Sequence, residues 1–293
     1  AVAPPPPVVE GVTVARQDVP VYSEWIGALD GSVNAVIRPQ VTGYLVRQNY
    51  IEGDKVRKGQ VLFEIDPRTF EAEVRQARAA LEQAKGELAA QEASAATARA
   101  DLARIRPLAA RNAVSQKDLD YAVGRDLISK AAVLTAKAGI SVAEANLEKA
   151  LLELSFTRVV SPVDGVAGIA KAQLGNLVGP NVQEELTSVS ALDPIKVYIS
   201  VSEQEYLSVR RSESDAAQIP MQLVLADGSV YAQSGKMALA DRQIDPTTGT
   251  LRIGPLFPNA DGFLRPGMVG KVRALMRGRK DAVVVPQRAV TEL

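Results

Sequence analysis

DPRTFEAEVRQARAALEQAKGELAAQEASAATARADLARI, residues 66–105, places its inward residues at alternating steps of four and three: Phe70, Val74, Ala77, Leu81, Ala84, Leu88, Gln91, Ala95, Ala98, Leu102 and Ile105. This is a heptad seam on a long helix. Asp66 and Pro67 supply its start, an acidic cap followed by a ring that fixes φ where a missing N–H costs nothing. A second seam runs through Leu119, Ala122, Asp126, Ser129, Val133, Ala136, Ile140, Ala143, Leu147, Ala150 and Leu154, with polar entries only at Asp126 and Ser129. The break between them is expected at Pro107, the Arg111-Asn112 pair and Ser115, and Ser115 with Asp118 reads as a capping box for the returning helix. Two helices of about 40 residues joined by so short a turn run antiparallel, each reaching roughly 60 Å at 1.5 Å per residue.

Outward from the hairpin, both flanks are β in character, and each repeats the other. Ser161-Pro162-Val163-Asp164-Gly165 parallels Arg38-Pro39-Gln40-Val41-Thr42-Gly43; Gly165 to Gly175 has the spacing of Gly43 to Gly53, and Val178 and Val56 each follow three residues on. Neither half has strands enough to close a core, so residues 33–66 and 156–191 are expected to interlock as one β sandwich, with 67–155 inserted as the hairpin. The remaining segments, 21–32 and 192–281, read as a small β barrel. Within it, Ser202 and Glu205 cap a short helix, Ala226-Asp227-Gly228 turns a hairpin, and the alternation in 8–29 reads as short strands punctuated by Gly27 and Asp30-Gly31. The proline run at 4–7 is an extended tether, and 1–20 with 282–293 form the tether and part of a further β domain. The fold class is α+β, elongated and multidomain.

Composition removes most chemistry. In 293 residues, 34 Lys plus Arg balance 34 Asp plus Glu, so the charge that general nucleic-acid binding requires is missing. There is no Cys and no His, which excludes disulfide frameworks, Cys/His zinc sites, cysteine nucleophiles and imidazole bases. No uncharged apolar run approaches the roughly 18 residues of a membrane helix. Gly53 and Gly59 lack the spacing and the Lys-Ser/Thr of a phosphate loop, and Asp245-Pro246-Thr247-Thr248-Gly249-Thr250 reads as turn chemistry. No cofactor, metal site or catalytic residue is expected. Lipoyl and biotinyl carrier domains share the half-motif sandwich, but the position of their modified lysine is taken here by the helical insertion.

The order of half-sandwich, long α-hairpin, second half, barrel and strand return resembles the periplasmic adaptor proteins, also called membrane fusion proteins, of tripartite efflux pumps. The stretches that carry the likeness are VIRPQVTGYLVRQNYIEGDKVRKGQVLFEIDPRTFEA, LSFTRVVSPVDGVAG and DPTTGTLRIGPLFPNADGFLRPGMVGKV, and they are most similar to the branch serving resistance-nodulation-division transporters. The resemblance implies a lipoyl-like sandwich, a non-enzymatic role in efflux, and a periplasmic place against the inner membrane. Its implied partners are an inner-membrane drug/proton antiporter, an outer-membrane channel and further copies in a ring, a hexamer in the family, set by lateral contacts of the sandwiches. In that branch the hairpin tip carries an Arg, a Leu and a Ser that meet the channel, and Arg104, Leu108 and Ser115 match their spacing. Read without the family, Arg104 complements a helix C-terminus, Leu108 closes the seam and Ser115 caps the next helix. Hinges are expected where helix meets sheet, at Asp66, Pro67 and Ser155. Gly43, Gly53, Gly165 and Gly175 are expected to shape loops rather than bind ligand. The resemblance also implies a membrane-proximal domain continuing past Leu293 and a membrane anchor preceding Ala1. Adaptors of ABC-type or type I secretion exporters share the architecture. A heavy-metal pump fits less well, with no His or Cys and four Met.

Overall fold

The computed structural model describes residues 14–181, 185–211 and 220–285 and divides the chain into two compact units, 35–189 and 1–34 with 190–293. The proline tether and the extreme C-terminus lie outside the described residues. In chain order the elements begin with β1 (Ala15–Ile37), β2 (Gly43–Gln48), β3 (Lys55–Val56) and β4 (Val61–Ile65). The helices α1 (Arg68–Ala110) and α2 (Gln116–Ser155) follow, then β5 (Arg158–Val160), β6 (Gly165–Ala167), β7 (Leu177–Val178) and β8 (Thr187–Ser202). The chain continues through α3 (Glu203–Arg211), β9 (Met221–Val224), β10 (Lys236–Ala240), β11 (Thr250–Phe257) and β12 (Val269–Val284).

In the unit 35–189 the two repeated segments interlock strand by strand. β2 pairs with β7, β3 with β6 and β4 with β5, each antiparallel and each joining one half to the other. The internal symmetry extends to single bonds: the amide of Gly53 donates to Ala167 O and that of Gly175 to Leu45 O, both at 2.8 Å. Gly53 and Gly175 hold φ of 83° and 87°, which glycine alone adopts without strain, so the matched spacing marks matched turns. The shared core includes Leu45, Leu62, Phe63, Ile65, Val178 and Leu186. Tyr50 meets Phe63 edge-on, with ring centroids 5.3 Å apart, and donates from its hydroxyl to Gly168 O at 3.2 Å. Burial pushes the Tyr50 phenol above its usual range.

The hairpin leaves and re-enters this sandwich over two residues on each side. Every residue of the two expected seams is buried or half-buried, while their neighbours on the outer faces are exposed. Asp126 is the polar exception: its side chain is 7% exposed, one oxygen pairs with Lys130 at 2.6 Å, and the other has no partner among the described residues. Pro107 requires a correction. α1 runs through it to Ala110, because a proline in the last turns removes one backbone bond without preventing the helix from finishing. The chain turns afterwards, at Arg111–Val114.

In the second unit the strands run in the order β10-β11-β8-β1-β12-β9 around Leu29, Val197, Ile199, Leu223, Phe257 and Val272. β1 corrects another expectation, being one strand of 23 residues rather than short strands broken at Gly27 and Gly31. A Cβ on Gly27 would meet Ile199 Cγ2 at 2.6 Å and Tyr198 O at 2.8 Å, so this glycine admits the neighbouring strand rather than a turn. The Asp245–Thr250 segment closes as a turn, its Asp245 amide donating to Thr250 O at 2.9 Å, and Ser202 and Glu205 form their capping box at the start of α3. β1 and β12 stay paired from Ala28 and Val269 out to Ala15 and Val284, with register shifts between Gln17 and Val19 and between Val21 and Tyr22.

Candidate functional site: the hairpin tip and base

The tip is built by two local devices. α1 ends in a Schellman motif, in which the amides of Asn112 and Ala113 donate to Ala109 O and Leu108 O while Asn112 takes the left-handed conformation at φ 52°. The sequence reading placed Asn112 in the break without seeing this role, although Asn just past a helix is the residue other than glycine that accepts it. α2 then opens on the expected capping box: Ser115 Oγ accepts from the Asp118 amide at 3.2 Å, and Asp118 Oδ2 accepts from the Ser115 amide at 3.2 Å. Ser115→Ala should weaken the α2 N-terminus by about 1 kcal/mol, read as faster amide exchange at Asp118 and Leu119 with the sandwich unaffected.

Arg104 and Leu108 lie one turn apart on α1, and both are exposed. Arg104 pairs with Asp101 along its own helix rather than with the helix end, and its side chain keeps 76% of its surface open. Leu108 is 43% exposed, and Ala109 takes the half-buried place beyond Ile105, so Leu108 does not close the seam. Arg104 therefore does not complement the helix C-terminus and Leu108 does not close the seam, whereas Ser115 caps the next helix. Missed by the sequence reading were Arg106, Arg111 and Lys117, exposed cations that enter none of the ion pairs among the described residues. The acids nearby are already engaged: Asp101 with Arg104, Asp118 with Ser115, Asp120 with Gln116. The tip thus carries four cations, Arg104, Arg106, Arg111 and Lys117, against three carboxylates, Asp101, Asp118 and Asp120, around an apolar side chain.

At the base, a cleft of about 900 Å³ opens between hairpin and sandwich beside Ile37, Pro67, Leu154, Ser155 and Phe156. Pro67 already has helical angles, and Asp66 Oδ1 accepts from the Arg68 amide at 3.1 Å, so the acidic cap works from two positions before Arg68, where α1 begins. Bonding from the Arg68 guanidinium and amide holds the Asp66 carboxyl below the usual carboxylate range. Ser155 Oγ donates back to Leu152 O at 2.6 Å, and both connections are tied into the sheet, Asp66 N to Tyr44 O and Ile65 N to Thr157 O. Among the described residues no group of three or more acidic side chains is placed to hold a metal ion.

Two family models match this arrangement: the barrel-sandwich hybrid domain of resistance-nodulation-division membrane fusion proteins over residues 33–190, and their β-barrel domain over 194–277. The chain belongs to this family. Its relatives include the multidrug resistance protein MdtE of Escherichia coli K12, 36% identical across 97% of this chain and 72% of that protein. Another is the efflux pump periplasmic linker BepD of Brucella suis, 32% identical across 99% and 71%. Among solved structures, MacA from Actinobacillus actinomycetemcomitans superposes with a TM-score of 0.81 at 20% identity, covering 97% of this chain and 87% of that one, which shows a shared fold. The membrane fusion protein thus has its hairpin between the two halves of the sandwich, and its family is one of adaptors rather than catalysts. No helix among its described residues is long and apolar enough to cross a membrane.

Proposed function

We propose that this chain is the periplasmic adaptor of a tripartite multidrug efflux pump, joining an inner-membrane drug/proton antiporter to an outer-membrane channel. The observation that carries this reading is kinship along almost the whole chain with a multidrug resistance protein, MdtE, and an efflux pump periplasmic linker, BepD. The hairpin is the spacer, and its tip docks on the channel through Arg104, Leu108 and Ser115, with the free cations around them drawing in an acidic surface. Several copies form a ring, a hexamer as in the family, held at the inner membrane. Asp66, Pro67 and Ser155 act as the hinge at the mouth of the basal cleft, where short connections let the hairpin swing against the sandwich. An ABC-type or type I secretion partner is disfavoured because both matching family models are those of resistance-nodulation-division adaptors.

Deleting the gene should raise intracellular accumulation of a fluorescent pump substrate, and restoring it should return accumulation to the parental level. Crosslinking in cells should capture a resistance-nodulation-division transporter and an outer-membrane channel. Unchanged accumulation on deletion, or capture of an ATP-driven exporter instead, overturns the proposal.

A further inference from the structure

The seam of the hairpin is not packed evenly along its length. It has buried residues on the base side, Leu81 and Ala143 among them, and on the tip side, Ala98, Leu102 and Asp126 among them. Between those levels it has none: Ala84, Leu88, Gln91 and Ala95 on α1, and Val133, Ala136 and Ile140 on α2, are all half-buried. The two runs stand opposite one another, because Ala84 and Gln91 line the same groove of about 460 Å³ as Ala136 and Gly139. Gln91 is the polar member of the α1 seam, and it donates to Glu87 of its own helix at 2.7 Å instead of crossing. Among the described residues every side-chain hydrogen bond and ion pair of the hairpin closes within one helix. Apolar contact along the seam is therefore what holds α1 to α2, and where that contact is thin the helices separate or slide at low local cost.

Both helices also carry glycine at this level. Gly139 lines the groove, and Gly86 lies between Ala84 and Gln91, which line it too, so the glycines stand within about one turn of each other, roughly 25 Å above the base at 1.5 Å per residue. In a helix interior glycine is about fivefold less favourable than alanine. Nothing in the chain calls for it here: a Cβ at Gly86 or Gly139 would meet nothing within 4 Å, and neither residue has positive φ. Hydroxyls around Gly139 loosen α2 further. Thr135 Oγ1 donates to Ala131 O at 3.1 Å and Ser141 Oγ to Lys137 O at 3.5 Å, bonds to the carbonyl four residues back that let a helix bend. Gly124 makes the contrast. It too has room for a Cβ, but Ala122 and Asp126 beside it are buried, so that glycine sits at a packed level.

We propose that the hairpin has a joint of its own, at which α1 and α2 flex together at the level of Gly86 and Gly139. A hinge at Asp66, Pro67 and Ser155 tilts the whole hairpin, whereas this joint redirects the tip half while the base half keeps its place on the sandwich. Its purpose rests on the adaptor reading: a spacer seated on a transporter at one end and a channel at the other has to follow both. Two pivots in series let the tip shift sideways without turning at its dock. The joint itself is a property of the hairpin alone.

Amide exchange of the purified chain tests it. Amides of residues 86–91 and 136–141 should exchange at least about tenfold faster than those of 77–82 and 98–102 in α1 and of 122–129 and 143–150 in α2. Gly86→Ala with Gly139→Ala should slow the middle amides by about fivefold for each alanine and leave the flanking levels unchanged. In cells the double variant, folded and exported as the parent is, should lose efflux. Gly124→Ala, an equal gain in helix propensity at a packed level, should pump as the parent does. Exchange that is uniform along the hairpin, or that only rises towards the tip, overturns the proposal. So does a double variant whose middle amides exchange at the parental rate, or one that pumps normally. If the parent chain supports no efflux but its middle amides exchange fast and respond to the alanines, the adaptor reading fails and the joint stands; efflux with uniform exchange reverses that conclusion.

Discussion

Cells whose adaptor carries Arg104→Glu should accumulate pump substrate to the level of cells with no adaptor, while the variant protein folds and is exported normally. The substitution exchanges the one paired cation of the tip for a second carboxylate beside Asp101 on the same helix face. Within the hairpin this costs only about 0.2–0.5 kcal/mol, the scale of a like-charge pair one turn apart. Arg104 is 76% exposed and outside the seam, so no packing is lost. The effect on docking is of another order, because a carboxylate pressed against an acidic partner surface opposes association over the whole approach. Helicity at 222 nm and the unfolding midpoint of the purified variant should match the parent. A folded variant that pumps normally removes Arg104 from the docking surface, and Arg106, Arg111 and Lys117 become the residues to reverse next.

Phe63→Ala should be the most damaging single change to the sandwich. Phe63 is fully buried in β4, the strand that pairs with β5 of the other half and hands the chain to α1, and its ring meets Tyr50 edge-on. Truncating a buried phenylalanine costs about 3–5 kcal/mol, to which the lost aromatic pair adds about 0.5–1.5 kcal/mol. That is a large share of the 5–15 kcal/mol by which whole domains are stable. Amide exchange at Leu45 and Ile65, whose N–H groups bond to Asn176 O and Thr157 O across the halves, should accelerate by about two and a half to four and a half powers of ten. Trp25, the one tryptophan, lies in the other unit, and its fluorescence transition should be unmoved. Acceleration of less than tenfold would mean that the halves are held together by something other than this core.

Much of this architecture was legible from residue order alone. The seams came out residue for residue, even to the awkward Asp126 and Ser129, because helical periodicity is set by the backbone and needs no knowledge of what lies across the seam. The pairing of the halves was legible from the matched glycine spacings, since Gly53 and Gly175 each mark a turn only glycine enters easily. Less legible was the tip. The residue types matched the family spacing, but whether Arg104 met the helix end or Leu108 the seam depended on neighbours that spacing does not specify.

The sequence by itself determined the two helices, their inner seams, the Ser115 cap and the two halves of the sandwich, all features written in short-range periodicity and local hydrogen bonding. Only the tertiary structure decided that Gly27 admits a strand instead of turning the chain, that α1 continues through Pro107, and that the outer faces of both helices stay bare. The place of Gly27 turns on contacts between residues far apart in the chain, Gly27 against Ile199, and the free energy of such a contact is absent from any local stretch until the fold brings its partners together, whereas the course of α1 through Pro107 depends on the proline falling within the last turns.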